Sequence, residues 1–173
     1  MNMTDNTILI TGGGSGIGRG LAEAFHALGN QVIISGRRKE ALDETTAANP
    51  GMRSAALDIE SEASIRSFAE QMKADFPALN AVIHNAGIMR MESVTKGEVA
   101  DAEAMINTNL LGPIRLTAAL LPQLQSQPQA AILTVTSGLA FVPLSMTPTY
   151  NATKAALHSY TESLRYQLQD TAV

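Results

Sequence analysis

Thr7-Ile8-Leu9-Ile10-Thr11-Gly12-Gly13-Gly14-Ser15-Gly16-Ile17-Gly18-Arg19-Gly20 is the stretch on which the reading of this chain turns. Its first five residues are aliphatic or β-branched and predict a short buried strand. Six glycines then fall within the nine positions from 12 to 20. Ile17, Leu21, Phe25 and Leu28 follow at helical spacing and predict one apolar helix face. A strand that turns through glycines into a helix is suited to binding phosphate. Glycine allows a tight turn and close approach of a pyrophosphate, and the helix N-terminus offers free N–H groups with positive partial charge. Glycines 12, 16 and 18 give the spacing G-x-x-x-G-x-G, and the stricter G-x-G-x-x-G is not matched. The candidate phosphate-binding residues are Gly12, Gly14, Ser15, Gly16, Ile17 and Gly18.

The same alternation continues outward. Gln31–Ser35, Arg53–Leu57, Ala81–His84 and Ala130–Thr136 predict four further strands, with helical patterns between them. Ile65, Phe68, Ala69, Met72 and Phe76 share one face of the third helix. Regular β-α-β-α alternation predicts an α/β fold, a doubly wound parallel sheet of the Rossmann-like, three-layer α/β/α type. The expected order of its strands is 3-2-1-4-5. Residues 1–173 read as one nucleotide-binding domain, without repeat, linker or low-complexity segment. Gly87–Gly97 and Leu139–Thr149 break the rhythm beyond the sheet's carboxyl edge, where ligands bind in open α/β sheets.

Bulk composition narrows the partners. A net charge of −4 with no basic tail gives no footprint for nucleic acid or an anionic membrane. No apolar run approaches the roughly 20 residues that span a bilayer. The polar start lacks the features of a secretory signal, so a cytoplasmic location is expected. There is no Cys, and no His/Asp/Glu cluster has ligand spacing, so no metal site is expected.

The end of the second predicted strand indicates the nucleotide. An NAD-selecting domain places Asp or Glu there to hold the ribose 2′-hydroxyl. Here Ser35 and Gly36 are followed by Arg37 and Arg38, whose guanidinium groups would match a 2′-phosphate in charge and geometry. NADP, with NADPH preferred over NADH, is the expected cofactor. As bland readings, both arginines are solvated residues of a helix's first turn.

A second constellation lies near the C-terminal end. Tyr150 and Lys154 stand at i and i+4, on one face of the last predicted helix. A phenol is a poor proton carrier at neutral pH, and a nearby cation favours the phenolate that general acid–base work needs. Ser137 ends the fifth strand, and Asn109 sits in an apolar helical stretch where an amide requires a partner. Taken singly, Ser137 is a turn cap and Asn109 a satisfied core amide.

Thr11–Gly18, Asn85-Ala86-Gly87, Asn109, Ser137 and Tyr150–Lys154, in this order, resemble the motif set of the short-chain dehydrogenase/reductases, in the shorter branch with G-x-x-x-G-x-G. The resemblance runs from Thr7 to about Gln169. A looser similarity, over Thr7–Arg19 and Phe76–Gly87, is to the oxidoreductase sub-group named for lipoteichoic-acid D-alanylation. What the family resemblance implies is an oxidoreductase acting on a small-molecule carbonyl or secondary alcohol. Tyr150 would exchange the proton as the nicotinamide delivers or takes hydride. Lys154 would hold the nicotinamide ribose and favour the phenolate of Tyr150. Ser137 would hydrogen-bond the substrate oxygen, and Asn109 would hold a water between Lys154 and solvent. Asp58, with Ile59 beside it, would contact the adenine, and Asn85, Ala86 and Gly87 would sit beside the adenosine ribose. The family usually has Asn where this chain has His84, which reads here as a packed strand residue.

The resemblance also implies a homo-oligomer, dimer or tetramer, associating through Gly112–Gln125 and Tyr150–Gln169. Family members continue past the helix of Tyr150 with further strands and a loop over the substrate, and the chain stops at Val173. It therefore reads as truncated after that helix. The rival expectation is a catalytically inactive nucleotide-binding domain that acts through binding or oligomerisation. The walls around Met89–Met91 and Leu139–Met146 suggest a hydrophobic carbonyl substrate.

Overall fold

The computed structural model describes residues 2–97 and 99–173. Among them, β1 (Thr7–Thr11), β2 (Gln31–Gly36), β3 (Arg53–Ala56), β4 (Leu79–His84) and β5 (Ala131–Thr134) form one sheet. Its order is β3-β2-β1-β4-β5 and every neighbouring pair is parallel, as the alternation predicts. Parallel neighbours need crossovers. These are supplied by α1 (Gly16–Ala27), α2 (Lys39–Ala48), α3 (Glu62–Asp75) and α5 (Gly112–Gln125). A short α4 (Ala100–Ile106) precedes α5, and α6 (Pro148–Leu168) follows β5. Among the described residues no helix is long and apolar enough to cross a membrane.

The period of two along the strands divides the core into two layers. Leu9, Ile33 and Val82 face α3 and α5, against Ile65, Phe68, Met72, Leu116, Leu120 and Leu124. Ile8, Ile10, Val32, Ile34, Ala81 and Ile83 face the other way, onto Ala22 of α1 and Leu42 of α2. Each fully buried aliphatic side chain contributes about 1.5–3 kcal/mol relative to exposure. The two-sided cover explains why these strands read as continuous apolar runs.

Helix α3 buries its expected face, with Ile65, Phe68 and Met72 in the core and Ala69 and Phe76 packed beside them. Helix α1 does not. Ile17 is 70% exposed and Leu28 48%, whereas Gly18 and Ala22 are buried and Leu21 and Phe25 flank them. The reason is close approach. A Cβ on Gly18 would lie 2.3 Å from the carbonyl oxygen of Gly12, so α1 meets the turn through its smallest residues.

At the sheet's amino edge, Asn6, Asn30 and Asn80 bond one another and the surrounding backbone, closing that edge with short connections. The long segments collect at the carboxyl edge. Residues 85–97 follow β4 and hold a short turn at Val94–Lys96, and residues 135–147 run from β5 to α6 with another at Gly138–Ala140.

Candidate active site

The glycine turn is anchored before it can bind anything. The N–H groups of Gly12 and Gly13 donate to the carbonyl of Ser35, at 2.7 and 3.2 Å, tying the turn to the end of β2. Gly12 has φ of 68°, in the left-handed region that favours glycine. The Thr11 hydroxyl accepts from the backbone of Asn85 and Ala86, at 3.1 and 3.0 Å. The Asn85 amide donates back to the Thr11 carbonyl at 2.9 Å. Four carboxyl-edge elements are thereby held in register. No side chain caps α1, because the Ser15 hydroxyl accepts instead from Arg38 Nη2 at 2.8 Å. The first-turn N–H groups of α1 stay available to an anion.

Above this turn opens a cavity of about 530 Å³. Its walls include the expected Gly12, Gly14, Ser15, Ile17 and Gly18, both arginines after β2, Ile59, and Asn85, Ala86 and Gly87. Tyr150 and Lys154 line the same cavity. Gly16 has φ of 54°, and a Cβ there would meet nothing within 4 Å, which leaves room at the turn's tip. The two arginines differ. Arg37 pairs with Glu60 at 2.9 Å, and Glu60 also accepts from the Thr108 hydroxyl. Among the described residues, the Arg38 side chain hydrogen-bonds only to the neutral Ser15 hydroxyl.

Lys154 is buried in the first turns of α6, with its Nζ donating to the Val135 carbonyl at 2.8 Å. The ammonium lies 5.8 Å from the centre of the Tyr150 ring. Burial pulls Lys154 below the ordinary lysine range, because the charged form loses water. A Cβ on Gly87 would stand 3.5 Å from that Nζ and 3.3 Å from Asn109 Oδ1, so these groups converge at one point.

Asn109 lies in a π-helical turn, Asn107–Leu111, between α4 and α5. Its amide makes three hydrogen bonds. Oδ1 accepts from Ile88 N–H, and Nδ2 donates to the Ile88 carbonyl, both at 2.8 Å; Nδ2 also donates to Thr153 Oγ1 at 3.2 Å. The buried amide in an apolar run is thus explained as a clamp between two segments. Ser137 Oγ accepts from Leu139 N–H at 3.1 Å and caps the turn Gly138–Ala140. Its neighbour Thr136 lines the cavity, and Ser137 itself does not. Asp58 also stands off the cavity wall, with its carboxylate accepting from Glu60 N–H. His84 is buried against Thr117 Oγ1 at 2.9 Å and is a packed strand residue.

Thr108, Ile88 and Val135 line the cavity without having been singled out in the sequence. Their types are ordinary, and only tertiary placement gives them a role. Among the described residues no group of His, Asp and Glu could hold a metal ion.

The glycine turn, the parallel order and the Tyr–Lys pair define an oxidoreductase of the short-chain dehydrogenase class. The short chain dehydrogenase profile matches residues 6–173, and the chain belongs to that family. It is 43% identical, over all of its own length and 69% of the relative's, to the uncharacterized oxidoreductase DltE of Bacillus subtilis (strain 168). It is 29% identical, over 99% of its length and 75% of the relative's, to an uncharacterized oxidoreductase of Staphylococcus aureus (strain MRSA252). Among solved structures it resembles the closed form of a serine dehydrogenase complexed with NADP+, with a TM-score of 0.89 and 30% identity over 95% of this chain and 67% of that one. A short-chain dehydrogenase from Streptomyces avermitilis also gives a TM-score of 0.89, with 31% identity over 95% of this chain and 61% of that one.

Proposed function

We propose that this protein is an NADP(H)-dependent oxidoreductase that interconverts a carbonyl and a secondary alcohol, with Tyr150 as general acid and base. One observation carries the reading: the glycine turn, Arg37 and Arg38, and the Tyr150–Lys154 pair all line a single cavity. The residues fit a dinucleotide. An uncapped helix N-terminus and the open tip at Gly16 suit a pyrophosphate. Arg38 and Ser15 offer a donor pair for a 2′-phosphate, and no acid stands at the end of β2 to repel it. The serine dehydrogenase of similar structure is complexed with NADP+, which agrees with this choice.

When bound, the nicotinamide supplies or takes the hydride. Tyr150 donates its proton to the substrate oxygen in reduction and accepts it in oxidation. The Lys154 ammonium, held by Val135 O and next to the phenol ring, would hold the cofactor ribose beside Tyr150. Ser137 stands next to the cavity-lining Thr136 rather than on the wall, and it accepts one bond from Leu139 N–H; its own hydrogen stays free, so in this reading a substrate that extends past Thr136 takes that hydrogen on its oxygen. Met89 on the wall, with the exposed Met91, Phe141 and Met146 on the two segments beyond the sheet's carboxyl edge, favours an apolar carbonyl compound.

Titration of NADPH and NADH into the purified chain, read by nicotinamide fluorescence, tests the cofactor. NADPH is expected to bind at least about tenfold tighter, the effect of one charge-assisted pair. Tyr150→Phe is expected to abolish reduction of a carbonyl panel and leave the NADPH dissociation constant within about twofold. A variant that keeps most of its turnover would remove Tyr150 from the role.

A further inference from the structure

Glu92 lies in the segment after β4, 57 residues from its partner, and neither the glycine turn nor the Tyr–Lys motif points to it. Its Oε2 accepts from Thr149 N–H at 2.9 Å, and its Oε1 accepts from Thr149 Oγ1 at 2.7 Å. Its own N–H donates to the Met146 carbonyl at 3.0 Å. Thr149 immediately precedes Tyr150. The first turn of α6 has little local support. Pro148 carries no N–H, and the hydroxyl of the cap residue Thr147 is spent on Asn151 Oδ1 at 3.1 Å. The carboxylate of Glu92 therefore does in trans what a local cap does in most helices, and as an anion it sits at the favourable helix end.

Tyr150 is held on its other side as well. Its carbonyl accepts from the Thr153 hydroxyl at 2.8 Å, and Asn109 Nδ2 donates to Thr153 Oγ1 at 3.2 Å. Asn109 in turn is clamped on both backbone groups of Ile88. Both anchors of Tyr150 thus return to one short stretch, Ile88–Glu92, which continues directly from the cavity wall at Asn85–Gly87. We propose that Glu92 is a positioning residue for Tyr150: its carboxylate fastens the first turn of α6 to the segment that forms the cavity wall, and so sets where the phenol stands. The meaning of that placement for proton transfer rests on the function proposed above, whereas the fastening itself does not.

The test uses the chain labelled with carbon-13 in its tyrosine rings, which has three signals for its three tyrosines, assigned by Tyr→Phe variants. Glu92→Ala is expected to displace the Tyr150 signal and leave Tyr160 and Tyr166 in place. In the same variant, amide exchange at Thr149–Thr153 is expected to accelerate about tenfold or more, the effect of losing a hydrogen bond to a charged group. Glu92→Gln, which keeps an accepting oxygen, is expected to restore much of both readouts. Thr149→Val, which removes only the hydroxyl bond, should shift Tyr150 less and in the same direction, and decides the matter if Glu92→Ala fails to fold. An unmoved Tyr150 signal with unchanged exchange overturns the proposal. Equal displacement of all three tyrosines also overturns it, because that is the signature of a general structural role. A wild-type chain that ignores NADPH would end the oxidoreductase reading and leave this result to stand or fall alone.

Discussion

At the level of single residues, the contrast between Arg37 and Arg38 is the most informative feature of the cavity. Both were equivalent in the sequence, as adjacent guanidinium groups after β2. In the structure Arg37 is already paired with Glu60, so a 2′-phosphate would have to compete for it. Among the described residues Arg38 contacts a neutral hydroxyl and no carboxylate, so its charge can meet an anion. Arg38→Ala should therefore weaken NADPH binding by about tenfold or more, a loss of roughly 1.5–3 kcal/mol, and barely change NADH. Arg37→Ala should weaken it less. Fluorescence titration of both variants with both nucleotides checks the order, and the reverse order would assign the phosphate to Arg37. The Tyr150–Lys154 pair was visible as an i,i+4 spacing, and its roles came from the family resemblance. That Lys154 is held by Val135 O was not, because a backbone carbonyl 19 residues away leaves no mark in side-chain pattern.

At the level of elements, the strand–turn–helix at the N-terminus shows that its glycines are not equivalent. A Cβ on Gly18 would fall 2.3 Å from Gly12 O and 2.4 Å from Asn85 Nδ2, in a place where backbone must move. Gly18→Ala is expected to cost about 1–3 kcal/mol of stability, the usual range for overpacking, and to spoil nucleotide binding with it. Gly20, also in α1, has open space around it and ordinary φ. Gly20→Ala should stabilise the chain by about 0.5–1 kcal/mol through helix propensity. Thermal melts of the two variants, run side by side, separate the glycine that permits contact from the one that permits nothing. The face of α1 was misjudged for the same reason. Periodicity weights Ile17 and Leu28 because they are large, whereas the close contact selects the small Gly18 and Ala22.

At the level of the whole molecule, acid should be destabilising. His84 lies inside the sheet's cover between β4 and α5, and burial lowers it to about 4 from an ordinary 6.5. The unfolded chain therefore takes up this proton at higher pH than the folded one. The resulting stability is complete above about 6.5 and is lost as pH falls toward 4, by about 3 kcal/mol in all. His84→Asn, which retains a partner for Thr117, should flatten stability across that window in urea melts at stepped pH. A wild-type chain with constant stability from pH 6.5 to 4 would show that His84 is solvated in solution. The strand order carries function at this scale too. Arg38 follows β2 and Tyr150 follows β5, and the order β3-β2-β1-β4-β5 brings both to one cavity at the carboxyl edge.

By itself the sequence determined the alternation of strands and helices, the position of the glycine turn, the strand order by way of the family resemblance, and the Tyr–Lys pair. All but the strand order are local or periodic signals: a run of aliphatic residues, a cluster of glycines, an i,i+4 spacing. Tertiary structure alone decided which arginine is free, that Asn109 spends its amide on Ile88 and Thr153, and that Glu92 caps a helix 57 residues away. Those facts depend on hydrogen bonds between segments distant in the chain. A polar side chain's partner is fixed by where the fold delivers a donor or acceptor, and no periodicity along the chain encodes that delivery.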